Sequence, residues 1–497
     1  MSGSDAPDSG GRRAVNVTDG PLLKPLVVLS LPIVLTNLLQ VAYNLADTFW
    51  VGRLGQDAVS ALSFSWAIVF LIITLAAGFT VAGTVLVAQN KGAGNLDRIS
   101  AVAGQTIAFV IGASVLLSVV GYALAPWLLG LIGATPGTEV FALSVTYTRT
   151  MFLGIPFVFG FFIFQSLLQG WGDTRTPLYL MLLGVVLNVV ADPFLILGFQ
   201  DNLLFEVAGL TALQADLFAA TGFTGFGVQG AAIATIASRG LGAVVAIGLL
   251  LSGRVGIHLA PRDFVPTRET IRKIVRIGGP ASVEMSTQSL GVTVVTALVA
   301  LAGADAVAAY GIGTRVTSLV VLPALGLARG TETIVGQNLG AEQPDRAKRS
   351  VVASAAITAV VLAVVSVIVY LGAAAIVDVF ITGPDAARVV AVGAEYLRIV
   401  GATYAFLGVF HVLQGAYRGS GSTRLAMIFG VLGLILLRVP PAYVLLAWFD
   451  LGATGVWYGI ALANVAVVLI SGLYFRRGTW TDGVIERGRE REMPADD

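Results

Sequence analysis

The chain alternates between long apolar stretches and short polar ones, and this pattern defines its architecture. A window of about 19 residues, the length of a helix that crosses a bilayer, finds twelve apolar stretches. They lie near residues 25–51, 58–88, 100–129, 140–169, 176–198, 228–252, 270–301, 306–335, 350–377, 388–415, 424–448 and 453–475. We therefore predict an all-α polytopic membrane protein with twelve transmembrane helices.

The composition agrees with this prediction and excludes several classes of function. Of the 497 residues, 56% are hydrophobic and only 12% are charged, whereas about a quarter of the residues in a soluble domain are charged. The net charge of +1 and the lack of a basic patch in the sequence argue against nucleic acid as a partner. The sequence has no cysteine, which excludes disulfides, thiolate metal sites and cysteine nucleophiles.

Basic residues accumulate in every second loop. One set of loops carries most of the lysine and arginine, including Arg175, Arg346 and Arg418, and the opposite set is mainly acidic. By the positive-inside rule, the first set and both termini are cytoplasmic. Residues 1–20 are polar and lack the apolar core of a signal peptide. We expect the first span to act as the insertion signal of a multi-pass plasma membrane protein.

The two halves of the chain repeat each other. The sequence AQNKGA at Ala88–Ala93 returns 248 residues later as GQNLGA at Gly336–Ala341. The sequence GDTR at Gly172–Arg175 returns at an offset of 249 as GSTR at Gly421–Arg424. Six spans separate the copies, so both halves have the same orientation. This repeat predicts two pseudo-symmetric six-helix bundles.

The repeat and the polar stretches divide the chain into five segments. These are a polar cytoplasmic tail (1–24), an N-lobe with the first six spans (25–253), a cytoplasmic linker (254–269), a C-lobe with the last six spans (270–476) and a cytoplasmic C-terminal tail (477–497). The first half is longer by about 24 residues. We place these in an extracellular insertion near 199–226, between spans five and six, and expect no function for it.

Polar side chains form one stripe along the first span. Gln40, Tyr43, Asn44 and Asp47 are spaced i, i+3, i+4 and i+7, which places them on one face of a helix. A carboxylate inside the membrane is costly and indicates a functional site. The alternative for Asp47 is a surface position at the end of the helix. Polar residues in other spans favour the first interpretation.

Three more spans of the first half carry polar side chains at a similar depth. Asn188 and Asp192 lie i, i+4 in span five, and Tyr147 and Thr235 each lie about seven residues from the outer ends of spans four and six. The repeat places Val295 and Pro441 at the positions of Asp47 and Asp192. A carboxylate needed only for packing could have been used in both halves. We therefore favour a functional acidic cluster over a structural polar network.

This cluster can hold a proton or a sodium ion. Burial and a neighbouring negative charge both favour the protonated form of a carboxylate, so one of the two aspartates can exchange protons near physiological pH. The same oxygens can instead coordinate Na⁺, with the ligands Asp47, Asn188, Asp192 and Thr235, together with Tyr147. The sequence leaves both ions open. Pro32 gives span one a place to bend, so we expect ion binding to change the shape of this helix.

The second half carries two acidic residues inside its spans, Glu284 and Glu332. Arginines also lie in or near the spans of this half, whereas we expect the buried charges of the first half to be acidic. Because carboxylates in lipid usually pair with such cations, a structural ion-pair network and a role in transport are both open for the two glutamates. His411 is expected to be a hydrogen-bonded bundle residue.

In these features the sequence resembles the multidrug and toxic compound extrusion (MATE) family. The resemblance covers residues 20–476 and rests on the two six-span halves, the paired QN-x-GA segments at Gln89 and Gln337, the GDTRTP sequence at Gly172–Pro177 and the arrangement of Pro32 and Asp47. It is closest to the prokaryotic branch with an acidic site in the N-terminal lobe. It implies a secondary antiporter that exports organic, often cationic and aromatic compounds in exchange for H⁺ or Na⁺ by alternating access.

The resemblance also implies roles for single residues. It implies an ion-coupling site at Asp47, Asp192, Asn188, Thr235 and Tyr147. It implies substrate contacts at Gln40, Tyr43 and Met181, to which the stripe adds Asn44. Glu284 matches a carboxylate that other branches use for cation coupling, but their acidic partner in span ten is missing here. We expect a monomer in a lipid bilayer that takes small organic cations or drugs, with no cofactor and no nucleic acid partner.

Three alternatives remain open. A flippase for lipid-linked oligosaccharide or polysaccharide precursors, from the same superfamily, would favour a more cationic central cavity. An intramembrane enzyme would need an Asp-rich metal motif or a His/Ser constellation, and the sequence shows neither. A receptor or scaffold would need a soluble domain. ATP is not expected to drive the protein, because the sequence has no phosphate-binding loop with lysine.

Overall fold

The computed structural model describes residues 14–200, 202–383 and 386–483, and it folds them into helices without any strand. The rest of both expected tails (1–13 and 484–497) lies outside the described residues. The first bundle contains α1 (Leu23–Gly52), α2 (Gln56–Gly92), α3 (Leu96–Leu131), α4 (Glu139–Trp171), α5 (Arg175–Leu197) and, beyond two short helices described below, α8 (Val228–Leu251).

The second bundle repeats this arrangement with more breaks. It contains α9 (Arg268–Ala300), α10 (Ala304–Gly340), α11 (Pro344–Asp378), α12 (Ala386–Gly401), α13 (Tyr404–Gly419), α14 (Thr423–Val431), α15 (Val439–Ala447) and α16 (Gly452–Arg476). Within the described part of the chain, eleven helices are long and apolar enough to cross a membrane, or twelve if the bent pair α12 and α13 forms one span. The prediction of an all-α protein with twelve spans in two bundles is confirmed.

Two spans of the second bundle are less regular than the continuous helices we predicted. Span ten bends by 51° between α12 and α13. Thr403 satisfies the broken end, because its hydroxyl donates to the Val400 carbonyl at 2.7 Å and accepts from Asn464 at 2.9 Å. Span eleven contains a π-helical turn at Leu432–Leu436 before α15. Pro440 and Pro441 follow this turn and lack the N–H groups that a regular helix would use.

The stretch between spans five and six contains two short helices, α6 (Leu203–Val207) and α7 (Thr211–Thr221). Asn202 ties this stretch to the end of α5, because its buried amide donates to the carbonyls of Pro193 and Gly198, both at 2.9 Å. Pro193 directly follows Asp192. The stretch is thus fixed to the helix end that carries one of the expected ion-site residues.

The two bundles meet through small residues. α2 lies against α9, and α1 lies against α10. At Gly78 a methyl group would come within 2.1 Å of the Ser282 backbone nitrogen, and at Gly330 it would come within 2.4 Å of the Ser30 hydroxyl. Glycine is therefore required at Gly78 for the helices to approach this closely, whereas at Gly330 a methyl group would force the Ser30 hydroxyl to rotate away.

The repeated QN sequence joins the bundles at the end that carries the basic loops, here called the basic end. Gln89 of α2 donates to the Gly419 carbonyl at 3.2 Å, and Gln337 of α10 donates to the Gly170 carbonyl at 2.8 Å. The two glutamines correspond in the repeat, and so do the two glycines. We call these four residues the glutamine clasp. Its two equivalent hydrogen bonds join the two bundles at the basic end.

Removing the clasp is expected to open the basic end. A neutral hydrogen bond contributes about 1 kcal/mol, so Gln89→Ala with Gln337→Ala should shift the ratio of closed to open molecules about thirtyfold. The chain has no cysteine, so spin labels can be placed at Arg175→Cys and Arg424→Cys, two exposed and repeat-related positions at the basic end. The measurement is the distance distribution between these labels in lipid nanodiscs.

The matched control is Gln56→Ala, which changes an exposed glutamine at the start of α2. This variant should leave the distance distribution unchanged. An unchanged distribution in the double variant at the clasp would contradict its assignment as the contact that keeps the basic end closed.

Candidate functional site

A cavity of about 240 Å³ lies inside the first bundle, against α1. All four residues of the polar stripe, Gln40, Tyr43, Asn44 and Asp47, lie on its wall. Helices α2, α4, α5 and α8 supply the rest, with Trp66, Phe70, Tyr147, Phe162, Met181, Thr235 and Arg239 among the lining residues. We call this space the N-lobe cavity. One face of α1 thus presents its polar groups to a chamber whose other walls are mostly aromatic and apolar.

The carboxyl groups of Asp47 and Asp192 face each other at hydrogen-bonding distance. Both residues are buried, with 8% and 0% of their surface exposed. Asn188 donates to Oδ1 of Asp192 at 3.1 Å. Oδ1 of Asp47, Oδ2 of Asp192 and Oδ1 of Asn188 are buried and receive no hydrogen bond. Three oxygens in a small space thus lack the donor or cation that burial demands.

This donor set fits one proton or one small hard cation. Two ionised carboxylates in contact repel each other strongly, so they share a proton or enclose a positive ion. Oxygen ligands suit hard cations such as Na⁺. Among the described residues, no three His, Cys, Asp or Glu side chains come together in one group. The geometry therefore favours a singly charged ion over a multi-carboxylate metal centre.

Tyr43 links the cavity wall to the other residues of the expected ion site. Its hydroxyl hydrogen-bonds to the hydroxyl of Thr235. Tyr147 is buried and lines the same cavity as Asp47 and Thr235. The structure therefore brings together all five residues that the sequence analysis expected at the ion site. The Thr235 hydroxyl already hydrogen-bonds to Tyr43. The oxygens that have no hydrogen-bond partner, and are therefore available to an ion, belong to the two aspartates and Asn188.

The sequence analysis missed a buried arginine in this lobe. Arg239 of α8 is 6% exposed and lines the N-lobe cavity. Its guanidinium hydrogen-bonds to Gln40 and approaches the sulfur of Met181 at 3.0 Å. It also lies over three aromatic rings, 5.0 Å from Phe161, 5.3 Å from Tyr43 and 5.8 Å from Phe162.

Arg239 corrects the expectation that the intramembrane arginines fall in the second half. Its signal was present in the sequence, because Arg239 is the only charged residue of Val228–Leu251 and follows Thr235 by one helical turn. Arg239 shows that the first half is not purely acidic, while the expectation of small organic cations as substrates stays a prediction. The acidic polarity of the first half also no longer argues against a flippase.

Comparison with known proteins identifies the family. The MatE family model matches residues 32–194 and 280–444, once in each half of the chain. The chain belongs to the MATE family. The two matches correspond to the two bundles, so the family assignment and the internal repeat describe the same duplication.

Relatives of the chain are described as multidrug resistance proteins or transporters. The chain is 30% identical over 453 residues to a probable multidrug resistance protein of Bacillus subtilis, covering 89% of this chain and 91% of the relative. It is 25% identical over 447 residues to an FAD transporter of Shewanella oneidensis, covering 90% and 92% of the two chains. The solved structure of an outward-facing multidrug resistance MATE transporter matches the fold with a TM-score of 0.83 and 24% identity, covering 95% of this chain and 99% of that one.

The acidic residues of the second bundle have a different environment in this MATE protein. Glu284 and Glu332 are both fully buried and share Arg418, whose guanidinium nitrogens lie 2.7 Å and 3.2 Å from their carboxylates. Arg329 approaches Glu332 at 3.5 Å. The sequence analysis assigned Arg418 to a basic loop, which is wrong, because this residue is 6% exposed in the last turn of α13. Arg418 lies three residues before the polar GSTR turn at Gly421–Arg424, so the hydropathy pattern placed it in the loop.

A second cavity, of about 190 Å³, lies in the C-lobe. Its wall includes His411, Gln414, Arg438 and Asn464, and no Asp or Glu contributes to it among the described residues. His411 and Gln414 lie one turn apart on α13. Arg438 donates to Asn464 at 3.0 Å, while its buried Nε has no hydrogen-bond partner. The C-lobe cavity is therefore neutral to basic.

The ion pair around Arg418 is expected to stabilise the C-lobe. Arg418→Ala leaves two buried carboxylates without their shared cation, which should cost about 3–5 kcal/mol. The melting temperature of the purified protein in detergent should fall clearly. Adding Glu284→Gln and Glu332→Gln to Arg418→Ala should recover much of the loss, because the unpaired charges are then removed.

Arg424→Ala is the control for this prediction, since Arg424 is exposed and lies only six residues further on. It should melt like the native protein. Equal melting temperatures for Arg418→Ala and Arg424→Ala would rule out a stabilising role for the buried ion pair.

Proposed function

We propose that this MATE protein is a secondary antiporter that exports aromatic organic compounds in exchange for H⁺ or Na⁺. The observation that carries the proposal is the contact between the buried carboxyl groups of Asp47 and Asp192, with which no basic side chain of the described residues forms an ion pair. Asp47 also lines the N-lobe cavity. An ion that binds the pair therefore changes the charge on the wall of the chamber that holds the substrate.

Exchange of ion and substrate follows because the two carboxylates of Asp47 and Asp192 are unstable when no cation is bound to them. With two negative charges the pair is unstable in an apolar environment, and a cation from solution neutralises it. A positively charged group of the substrate can supply the same neutralisation from the cavity side. Coupling ion and substrate then compete for one charge, and the binding of one favours release of the other.

Helix α1 transmits the occupancy of the ion site to the substrate. Asp47 shares this helix with Gln40 and Tyr43 on the cavity wall. Thr36, one turn after Pro32, donates its hydroxyl to the Pro32 carbonyl at 2.8 Å, an arrangement that bends helices. The helix is continuous through Pro32 in this structure. We expect a change of curvature at Pro32 when the charge of the aspartate pair changes.

Transport requires the N-lobe cavity to open alternately to the two sides of the membrane. The glutamine clasp closes the basic end, which the positive-inside rule places in the cytoplasm of a plasma membrane protein with both termini inside. The structure then corresponds to the state that faces outward. Breaking the clasp would let the lobes rock about their shared interface. We expect a monomer to suffice, because the cavity and the ion pair lie within one lobe.

The aromatic wall of the cavity supports aromatic substrates. Trp66, Phe70 and Phe162 line it together with Tyr43 and Tyr147, and flat ring systems stack well on such side chains. The relatives named above include a multidrug resistance protein and an FAD transporter. FAD has aromatic rings, so ring stacking is a recognition mode that both kinds of substrate can share.

Asp47→Asn and Asp192→Asn should each abolish ion-coupled efflux while leaving insertion and folding intact. Either change removes one of the two charges, so the repulsion that makes the pair take up and exchange a cation is lost. The measurement is dye efflux from proteoliposomes under an imposed pH gradient and, separately, an imposed Na⁺ gradient. The native protein should respond to at least one gradient, and the variants should match protein-free vesicles.

Asp57→Asn is the matched control, because Asp57 is an exposed aspartate in the first turn of α2. It should transport like the native protein. Normal gradient-driven efflux by Asp47→Asn, or native efflux that ignores both gradients, would refute the antiport mechanism.

A further inference from the structure

Arg239 is a fixed positive charge without a fixed counter-ion. No carboxylate lies within salt-bridge distance of it in the described ranges of the chain. Its hydrogen-bond partners are a neutral amide and a thioether. Ionisable residues within spanning helices usually pair with each other or with backbone carbonyls. Arg418 in the other lobe follows this rule with two glutamates, whereas Arg239, like Arg438 of the C-lobe cavity, hydrogen-bonds only to neutral groups among the described residues.

The N–H groups of Arg239 lie on the side of the N-lobe cavity. The guanidinium carbon lies over three aromatic rings at 5.0 to 5.8 Å, and such contacts compensate part of the charge. Those N–H groups point to Gln40 and Met181, two residues on the wall of the N-lobe cavity. A rotation of either side chain would offer the in-plane donors to an acidic group in the cavity. Arginine binds carboxylate and phosphate with this edge.

The N-lobe cavity therefore has an acidic end and a basic end. Gln40, which holds Arg239, precedes Asp47 by seven residues on α1, or about 10 Å along the helix. Thr235, beside the ion site, precedes Arg239 by four residues on α8, or about 6 Å. A compact ring system can span a distance of this order, with one substituent at each end.

The proposed antiport favours a substrate with one acidic and one basic group over a purely anionic substrate. A purely anionic substrate would bind better once an ion had neutralised the aspartate pair, which is the opposite of exchange. A basic group beside Asp47 restores the competition with the coupling ion. The C-lobe cavity supplies no acidic residue for this basic group among the described residues, so Asp47 is its counterpart.

We propose that Arg239 is a substrate-binding residue, and that it selects aromatic compounds with an acidic group for Arg239 and a basic group for Asp47. The inference rests on the proposed function for the role of the basic group. The role of Arg239 in binding does not depend on the direction of transport or on the coupling ion. The two can therefore be tested separately.

A matched pair of dyes tests this selection. Rhodamine 110 and rhodamine 123 share one aromatic core with basic amino groups, but the first has a free carboxylate and the second its methyl ester. Binding to the purified full-length protein in detergent is measured by fluorescence anisotropy at fixed pH and Na⁺. The native protein should bind rhodamine 110 about tenfold or more tightly than rhodamine 123, as expected for a charge-assisted arginine contact.

Arg239→Met should remove this preference by weakening rhodamine 110 alone, and Arg239→Lys should retain part of it because the charge remains without the planar fork. Unchanged binding of rhodamine 123 shows that the variant is folded. The matched control is Arg149→Met, because Arg149 also lies over an aromatic ring, Tyr122 at 5.0 Å, but does not line the cavity. It should keep the preference.

Two results would overturn the inference. One is a native protein that binds rhodamine 110 no better than rhodamine 123. The other is an Arg239→Met variant that weakens both dyes by the same factor, which would assign Arg239 to packing. Failure of the antiport mechanism looks different. In that case efflux ignores both gradients while the preference for rhodamine 110 still depends on Arg239.

Discussion

The structure depends on one constraint, which is that a charge inside a bundle of apolar helices is costly unless an opposite charge or polar groups compensate it. The two lobes satisfy it in different ways. In the C-lobe the counter-ion belongs to the chain, because Arg418 lies between Glu284 and Glu332. In the N-lobe the carboxyl groups of Asp47 and Asp192 face each other, and no cation from the described part of the chain pairs with them. A site of the first kind is expected to stabilise the fold, whereas a site of the second kind fits the exchange of a counter-ion with solution that we propose.

Much of this could be predicted from the sequence because it follows from periodicity. Apolar stretches gave the spans, the repeat gave the two bundles, and helical spacing with a rise of 1.5 Å per residue was enough to bring Asp47 and Asp192 to similar depth. Contacts between distant residues were beyond this reasoning. Arg418 follows an apolar stretch and precedes a polar turn, so hydropathy could not show that its side chain pairs with two buried glutamates. Arg239 was visible as a lone charge, but its role depends on what surrounds it.

The duplication explains why the two cavities occupy equivalent places. At the offsets of the repeat, Gln40 corresponds to Gln288 and Arg239 to Asn464, and these four residues line the N-lobe and C-lobe cavities respectively. The same repeat positions thus line both cavities, but the residues at these positions differ in charge. In the C-lobe the equivalent of Arg239 accepts a hydrogen bond from Arg438. The basic group is present in both cavities, but it is supplied by different helices.

The symmetric and asymmetric parts of the molecule therefore have separate tasks. The glutamine clasp uses the same residue type at the same repeat position in both lobes, as expected for a contact that must break and re-form when two equivalent bodies rotate against each other. The ionisable groups do not obey the repeat, since Asp47 and Asp192 correspond to Val295 and Pro441. A mechanical contact gains from symmetry because both halves move together. In the proposed mechanism a coupling site gains from occurring once, because one exchangeable charge then governs the whole movement.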